Sequence, residues 1–232
     1  RDDYIDLRGL AACCMDGARQ AASIAIPTAA CGIIINVVTG QTSLATNLSN
    51  LISALGTSNL FLALTIAMIG CMILGMALPT VAAYLVGAIL FVPCIQPILL
   101  ASGMSGPVAR LCANMFVFYY GIMAQITPPV CVASYTAAGI AEANAMKTGM
   151  KGFTFAMVGF MVPFVFVYNP AILLQGSVAE IAVSTLQLGA GTFFLAVVVA
   201  GYFKGELNVL ERALLFVATL CLIAPEYVSS VV

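Results

Sequence analysis

Polar and apolar positions are arranged in blocks along this chain, with long apolar runs almost free of charge divided by polar joints. A helix needs about 20 apolar residues to span roughly 30 Å of hydrocarbon. Runs approaching that length fall at 21–38, 60–74, 81–100, 108–126, 130–141, 153–174, 181–202 and 213–224. The joint at 41–59 has a pattern of its own: Leu44, Leu48, Leu51, Ile52 and Leu55 recur at helical spacing, which predicts an amphipathic helix lying in the interface. The expected fold is all-α and polytopic.

Two of the apolar stretches are interrupted, at Gly75-Met76-Ala77-Leu78-Pro79-Thr80 and at Thr127-Pro128-Pro129-Val130. Gly75 tolerates backbone geometries that other residues resist, and Pro79 removes a donor while suiting the start of a new helix. The first break should therefore end one half-helix and begin another. Carbonyls at the end suit a cation, whereas the free N–H groups at the start suit a carboxylate, with the Thr80 hydroxyl beside them. At the second break Thr127 is expected to N-cap the following half-helix, and Pro128-Pro129 pushes the preceding residues out of helical geometry. Either break alone reads as a plain turn or a proline kink. Together they read as discontinuous helices around a binding cavity, because backbone freed from helical bonding cannot face lipid. The candidate site residues are Gly75, Ala77, Pro79, Thr80, Thr127, Pro128, Pro129 and Val130.

Charge gives these elements a direction. Lys and Arg gather in short cytoplasmic loops. Arg8 and Arg19 precede the first run, Lys147 and Lys151 lie in the joint at 142–151, and Lys204 and Arg212 precede the last run. The joints at 41–59 and 175–180 lack Lys and Arg, and the one near Ser102 has only Arg110. Parity is satisfied if 60–100 enters from outside and returns outside as a re-entrant hairpin, and 108–141 crosses once. Two full spans would satisfy it too, but the turn at Gly75 to Thr80 is uncharged and too short to be a solvated loop.

Composition narrows the class. With 62% hydrophobic and 7% charged residues and a mean hydropathy of +1.11, the chain is a membrane protein. A net charge of -1 without a basic cluster excludes nucleic acid as a partner. Eight cysteines without a Cys-x-x-Cys pair, and no histidine, argue for packing residues and against a zinc site. The chain opens on Arg1 with no signal-peptide pattern, so a piece of a longer polypeptide is expected. Between Leu60 and Ala141 the only ionisable side chain apart from tyrosines and cysteines is Arg110. With no carboxylate there for a proton relay, any ion used by this half is expected to be sodium, held by carbonyl and hydroxyl oxygens, rather than a proton. No other cofactor is expected. Asn36 and Asn114 should hydrogen-bond to other helices, Asn169-Pro170 should kink its helix, Arg110 should snorkel to the outer interface, and Tyr119 and Tyr120 should pack.

The runs Gly75-Met76-Ala77-Leu78-Pro79-Thr80-Val81-Ala82-Ala83-Tyr84, Phe116-Val117-Phe118-Tyr119, Ile126-Thr127-Pro128-Pro129-Val130, Ala137-Ala138-Gly139-Ile140-Ala141, Lys147-Thr148-Gly149 and Pro163 to Pro170 closely resemble the large permease subunit of TRAP transporters. More narrowly, the chain resembles the fused permeases that work with TAXI-type binding proteins. The resemblance implies the second inverted repeat of an elevator-type secondary transporter within 1–176, with a re-entrant hairpin at about 60–101 and a broken helix at about 108–141. Two additional transmembrane helices would occupy 177–232. It implies cation-driven uptake of a small carboxylate delivered by a periplasmic TAXI-type binding protein, in a bacterial or archaeal inner membrane. The remaining partners would be the N-terminal half of the permease, the small-subunit helices and the bilayer. By position, the resemblance implies that Gly75, Ala77, Thr80, Thr127 and Pro128 would contribute to a cation site and part of the substrate site, with sodium held by oxygens of Gly75, Thr80 and Thr127, and that the fragment alone should not transport. Ala77 stands where the family usually has glycine, and Asn114 where it often has histidine. The alternatives are an ion or solute channel, or the permease subunit of another importer; an enzyme is disfavoured for want of histidine, a carboxylate pair or metal-ligand spacing.

Overall fold

The computed structural model describes residues 7–37, 47, 50, 60–203 and 205–223. Among these the chain forms helices α1 (Leu7–Asn36), α2 (Leu60–Ala77), α3 (Thr80–Ala101), α4 (Gly106–Met123), α5 (Val132–Ile140), α6 (Ala145–Ala156), α7 (Val162–Tyr168), α8 (Val178–Ala200) and α9 (Val209–Ile223). Single 3-10 turns follow α4, α6 and α7, at Ala124–Ile126, Met157–Met161 and Pro170–Leu173. Thr80–Ala101, Ala145–Tyr168 and Val178–Ala200 are long and apolar enough to cross a membrane. The all-α, multi-pass expectation holds; the amphipathic helix expected at 41–59 falls, but for two residues, outside the described residues.

Two boundaries differ from those read off hydropathy. The joint expected at 142–151 is mostly helix, because the Asn144 Oδ1 accepts from the Lys147 N–H (3.0 Å) and starts α6 at Ala145. Capping sets that start, and Lys147 and Lys151 ride exposed on the helix. The run expected as one span over 153–174 is interrupted by the turn at Met157–Met161 and stops at Tyr168. Asn169-Pro170 ends the helix instead of kinking it: Asn169 Oδ1 accepts from Ala171 N–H (3.2 Å) while its Nδ2 donates to Ser184 Oγ (2.9 Å) on α8.

The core is the triangle of α2, α3 and α4, closed on one side by α7. Lipid tails are as apolar as leucine, so helices in a bilayer associate through close packing. Small residues mark these seams. Ala63, Ala67 and Cys71 recur every fourth residue on α2, Ala109, Cys112 and Ala113 lie on α4, and all are buried where these helices pack. At Gly87 of α3 a Cβ would lie 2.9 Å from Val117 Cγ1, so this crossing needs glycine. Aromatic rings bind α4 to α7, with Phe116 edge-on to Phe164 (centroids 5.6 Å). The Tyr120 hydroxyl donates to the Phe160 carbonyl (2.6 Å).

Charge separates the two ends of the bundle. At one end a cavity of about 760 Å³ lies between the α3–α4 turn (Met104, Ser105), Asn169, Ser184 and Gln187, with Leu222 of α9. The helical stretch Ala145–Tyr168, in which the 3-10 turn joins α6 to α7, and helix α8 both leave this end and run about 35 Å at about 1.5 Å per residue. Lys147, Lys151 and Arg212 thus share the opposite end, as the loop charges predict.

Candidate functional site

Helix α2 stops at Ala77, Leu78 bends, and α3 starts at Thr80 with Pro79 as its N-cap (φ -56°, ψ 151°). The two arms fold into a tight hairpin whose tip is the first break. In a continuous helix the Gly75 carbonyl would accept from residue 79, but proline has no N–H to give. The missing donor comes from elsewhere. Gln125 Nε2 donates to Gly75 O (2.8 Å) and to Leu78 O (3.1 Å). Both neighbours are carbonyls, which fixes the carboxamide with its nitrogen toward the hairpin.

Gln125 belongs to the 3-10 turn Ala124–Ile126, immediately before the second break. The two interruptions, nearly fifty residues apart in sequence, are therefore joined by one side chain. Backbone proximity reinforces the link: a Cβ at Gly75 would lie 2.6 Å from Ala124 Cβ and 2.9 Å from Gly121 O. Gly75 is helical and has no positive φ. Its use here is close approach to α4, and the conformational freedom expected of it is not called on.

The second break is longer than expected. Residues 127–131 are irregular and α5 begins only at Val132, with Cys131 in the left-handed region (φ 38°) as its N-cap. The expected N-cap role of Thr127 is not found. Its buried hydroxyl donates backwards to Met123 O (2.9 Å), a nearer acceptor on the preceding turn, and no side chain caps α5. Cys131 Sγ contacts Ile126 O (3.3 Å), Tyr135 Oη donates to Pro129 O (3.0 Å), and the Pro128–Pro129 peptide is cis. The break packs on the first two turns of α6: a Cβ at Gly149 would meet Cys131 Sγ at 3.3 Å, and one at Gly152 would meet Ser134 Oγ at 2.6 Å.

Of the predicted residues, Gly75, Pro79 and the end of α2 at Ala77 form the tip, and Thr127, Pro128, Pro129 and Val130 form the opposing irregular segment. Thr80 opens α3, is exposed, and its hydroxyl has no hydrogen-bond partner among the described residues. The N–H groups of Thr80, Val81 and Ala82 have no side-chain cap. The tip thus presents carbonyls at the end of α2 and amides at the start of α3, so that groups of both polarities lie together. Leu78 and Gln125 were not among the residues singled out from the sequence. The signal for Gln125 was the spacing Gly75-x-x-x-Pro79, which leaves a carbonyl in need of a donor, beside an uncharged amide flanking the second break.

Other polar residues hold the scaffold. Tyr84 Oη donates to Asn114 Oδ1 (3.0 Å) across the α3–α4 seam, the interhelical role expected of Asn114. Arg110 is exposed near the cavity end of α4.

Comparison with curated proteins gives no match, and comparison with solved structures gives none either. The family model for the DctM component of tripartite ATP-independent periplasmic transporters matches residues 2–181, a stretch that holds both breaks and the glutamine between them. The chain belongs to this family of secondary-transporter permeases, which are not enzymes.

Proposed function

We propose that this chain carries one half of the translocation site of a sodium-coupled TRAP transporter that takes up a small carboxylate. The observation that carries the reading is the joining of hairpin tip and irregular segment through Gln125. Oxygens of Gly75, Thr80 and Thr127 supply a cation seat without a carboxylate, and the uncapped amides of Thr80 to Ala82 supply an anion seat next to it. The hairpin 60–101 is re-entrant, and 1–176 forms the second inverted repeat of an elevator-type permease. The segment 177–232 adds two helices of the kind found in fused, TAXI-dependent permeases, placed in a bacterial or archaeal inner membrane. The complete site takes its other half from an N-terminal repeat, and the solute comes from a periplasmic TAXI-type binding protein.

The test is uptake by the full-length permease with its binding protein in proteoliposomes. A sodium gradient alone should drive accumulation and a pH gradient alone should not. Uptake driven by protons with sodium absent would refute the sodium assignment, and uptake that does not saturate would favour a channel.

A further inference from the structure

The double hydrogen bond from Gln125 bears on how the proposed cation seat is regulated, because it occupies the Gly75 carbonyl of that seat together with the neighbouring Leu78 carbonyl. A carbonyl at a helix C-terminus is one of the few oxygens that an uncharged membrane segment can offer a cation. Gly75 O and Leu78 O are such oxygens, and both aim at one nitrogen, at 2.8 and 3.1 Å. An oxygen pair converging on a single centre has room there for one occupant, either the –NH2 group or a cation. The carboxamide supplies partial positive charge and two N–H donors, so it mimics a cation at the same place. Its Oε1 has no hydrogen-bond partner among the described residues, and the side chain is only half-buried. Turning the amide away therefore breaks the two bonds to the tip and no others.

We infer that the Gln125 carboxamide competes with the coupling cation for the Gly75 and Leu78 carbonyls, so that cation binding releases the link between the hairpin tip and the second break. This rests on the sodium reading above and adds its regulation: Gln125 weakens ion binding and makes ion occupancy and hairpin release a single event. A glutamine that were itself a ligand would have the opposite effect on affinity. The sign of the change is therefore diagnostic.

The probe is sodium chloride alone, titrated at constant ionic strength against choline chloride, with the thermal transition of the purified full-length permease in detergent as readout. The wild-type protein should be stabilised by sodium with a definable half-saturating concentration. Gln125→Met keeps the length and bulk of the side chain but has no donor. It should lower that concentration by about tenfold, the factor that 1.4 kcal/mol represents. It should also lower the transition temperature without sodium. Gln125→Asn, which retains the amide but shortens its reach, should shift the half-saturation in the same direction, and it serves if the methionine variant does not fold. A half-saturating concentration that is unchanged or raised in a variant, with wild-type still responding to sodium, overturns the competition and leaves the sodium reading intact. A wild-type protein indifferent to sodium overturns both.

Discussion

At Gly75 the requirement is steric and local. Its α-carbon sits where a methyl group would lie 2.6 Å from Ala124 Cβ and 2.9 Å from Gly121 O, and the nearest groups are backbone or a short side chain that cannot swing aside. Gly75→Ala should therefore push the tip off α4 and lengthen or break the Gln125 bonds, destabilising the protein by about 1–3 kcal/mol, the usual range for overpacking. Thermal denaturation in detergent would register the loss; a variant as stable as wild-type would show that the tip is held elsewhere. Thr127 teaches the opposite lesson about reading single residues. Its hydroxyl looked forward to a new helix in the sequence, but a free carbonyl one turn back was closer, and the side chain took it.

At the level of elements, the breaks themselves were legible because proline withdraws a specific donor and lipid penalises whatever that leaves unpaired. What bridges them was not, because the donor lies about fifty residues away and only packing of α2 on α4 brings it near. Helix ends were the weakest point. Hydropathy could not show that Asn144 would begin α6 ahead of the apolar run, or that Asn169 would stop α7 inside one. The Asn169–Ser184 bond, at 2.9 Å, is the side-chain hydrogen bond that ties the end of α7 to α8. A double-mutant cycle with Asn169→Ala and Ser184→Ala should return a coupling of about 0.6 kcal/mol, typical of side-chain hydrogen bonds between membrane helices. A coupling near zero in denaturation measurements would mean that α8 is held by packing alone.

For the whole molecule, orientation is the property that the chain's charges and its architecture determine together. The α3–α4 turn and the 175–177 turn meet at the cavity end, and Lys147, Lys151 and Arg212 gather at the other. In a cysteine-free background, Ser102→Cys and Gln175→Cys should react with an impermeant maleimide on intact cells, and Lys147→Cys only after permeabilisation. The reverse pattern would invert the molecule in the membrane. The depth of the second break adds a further consequence. It rests on α6 at Gly149 to Gly152, only about 6–10 Å from the start of that helix at Ala145 and about 25 Å from the cavity end. Under the proposed function, the translocation site would therefore lie well off-centre, far from the cavity end and close to the opposite face of the protein. On that reading the thin side is built from α5 and the first two turns of α6, and the thick side from the full length of the hairpin and α4.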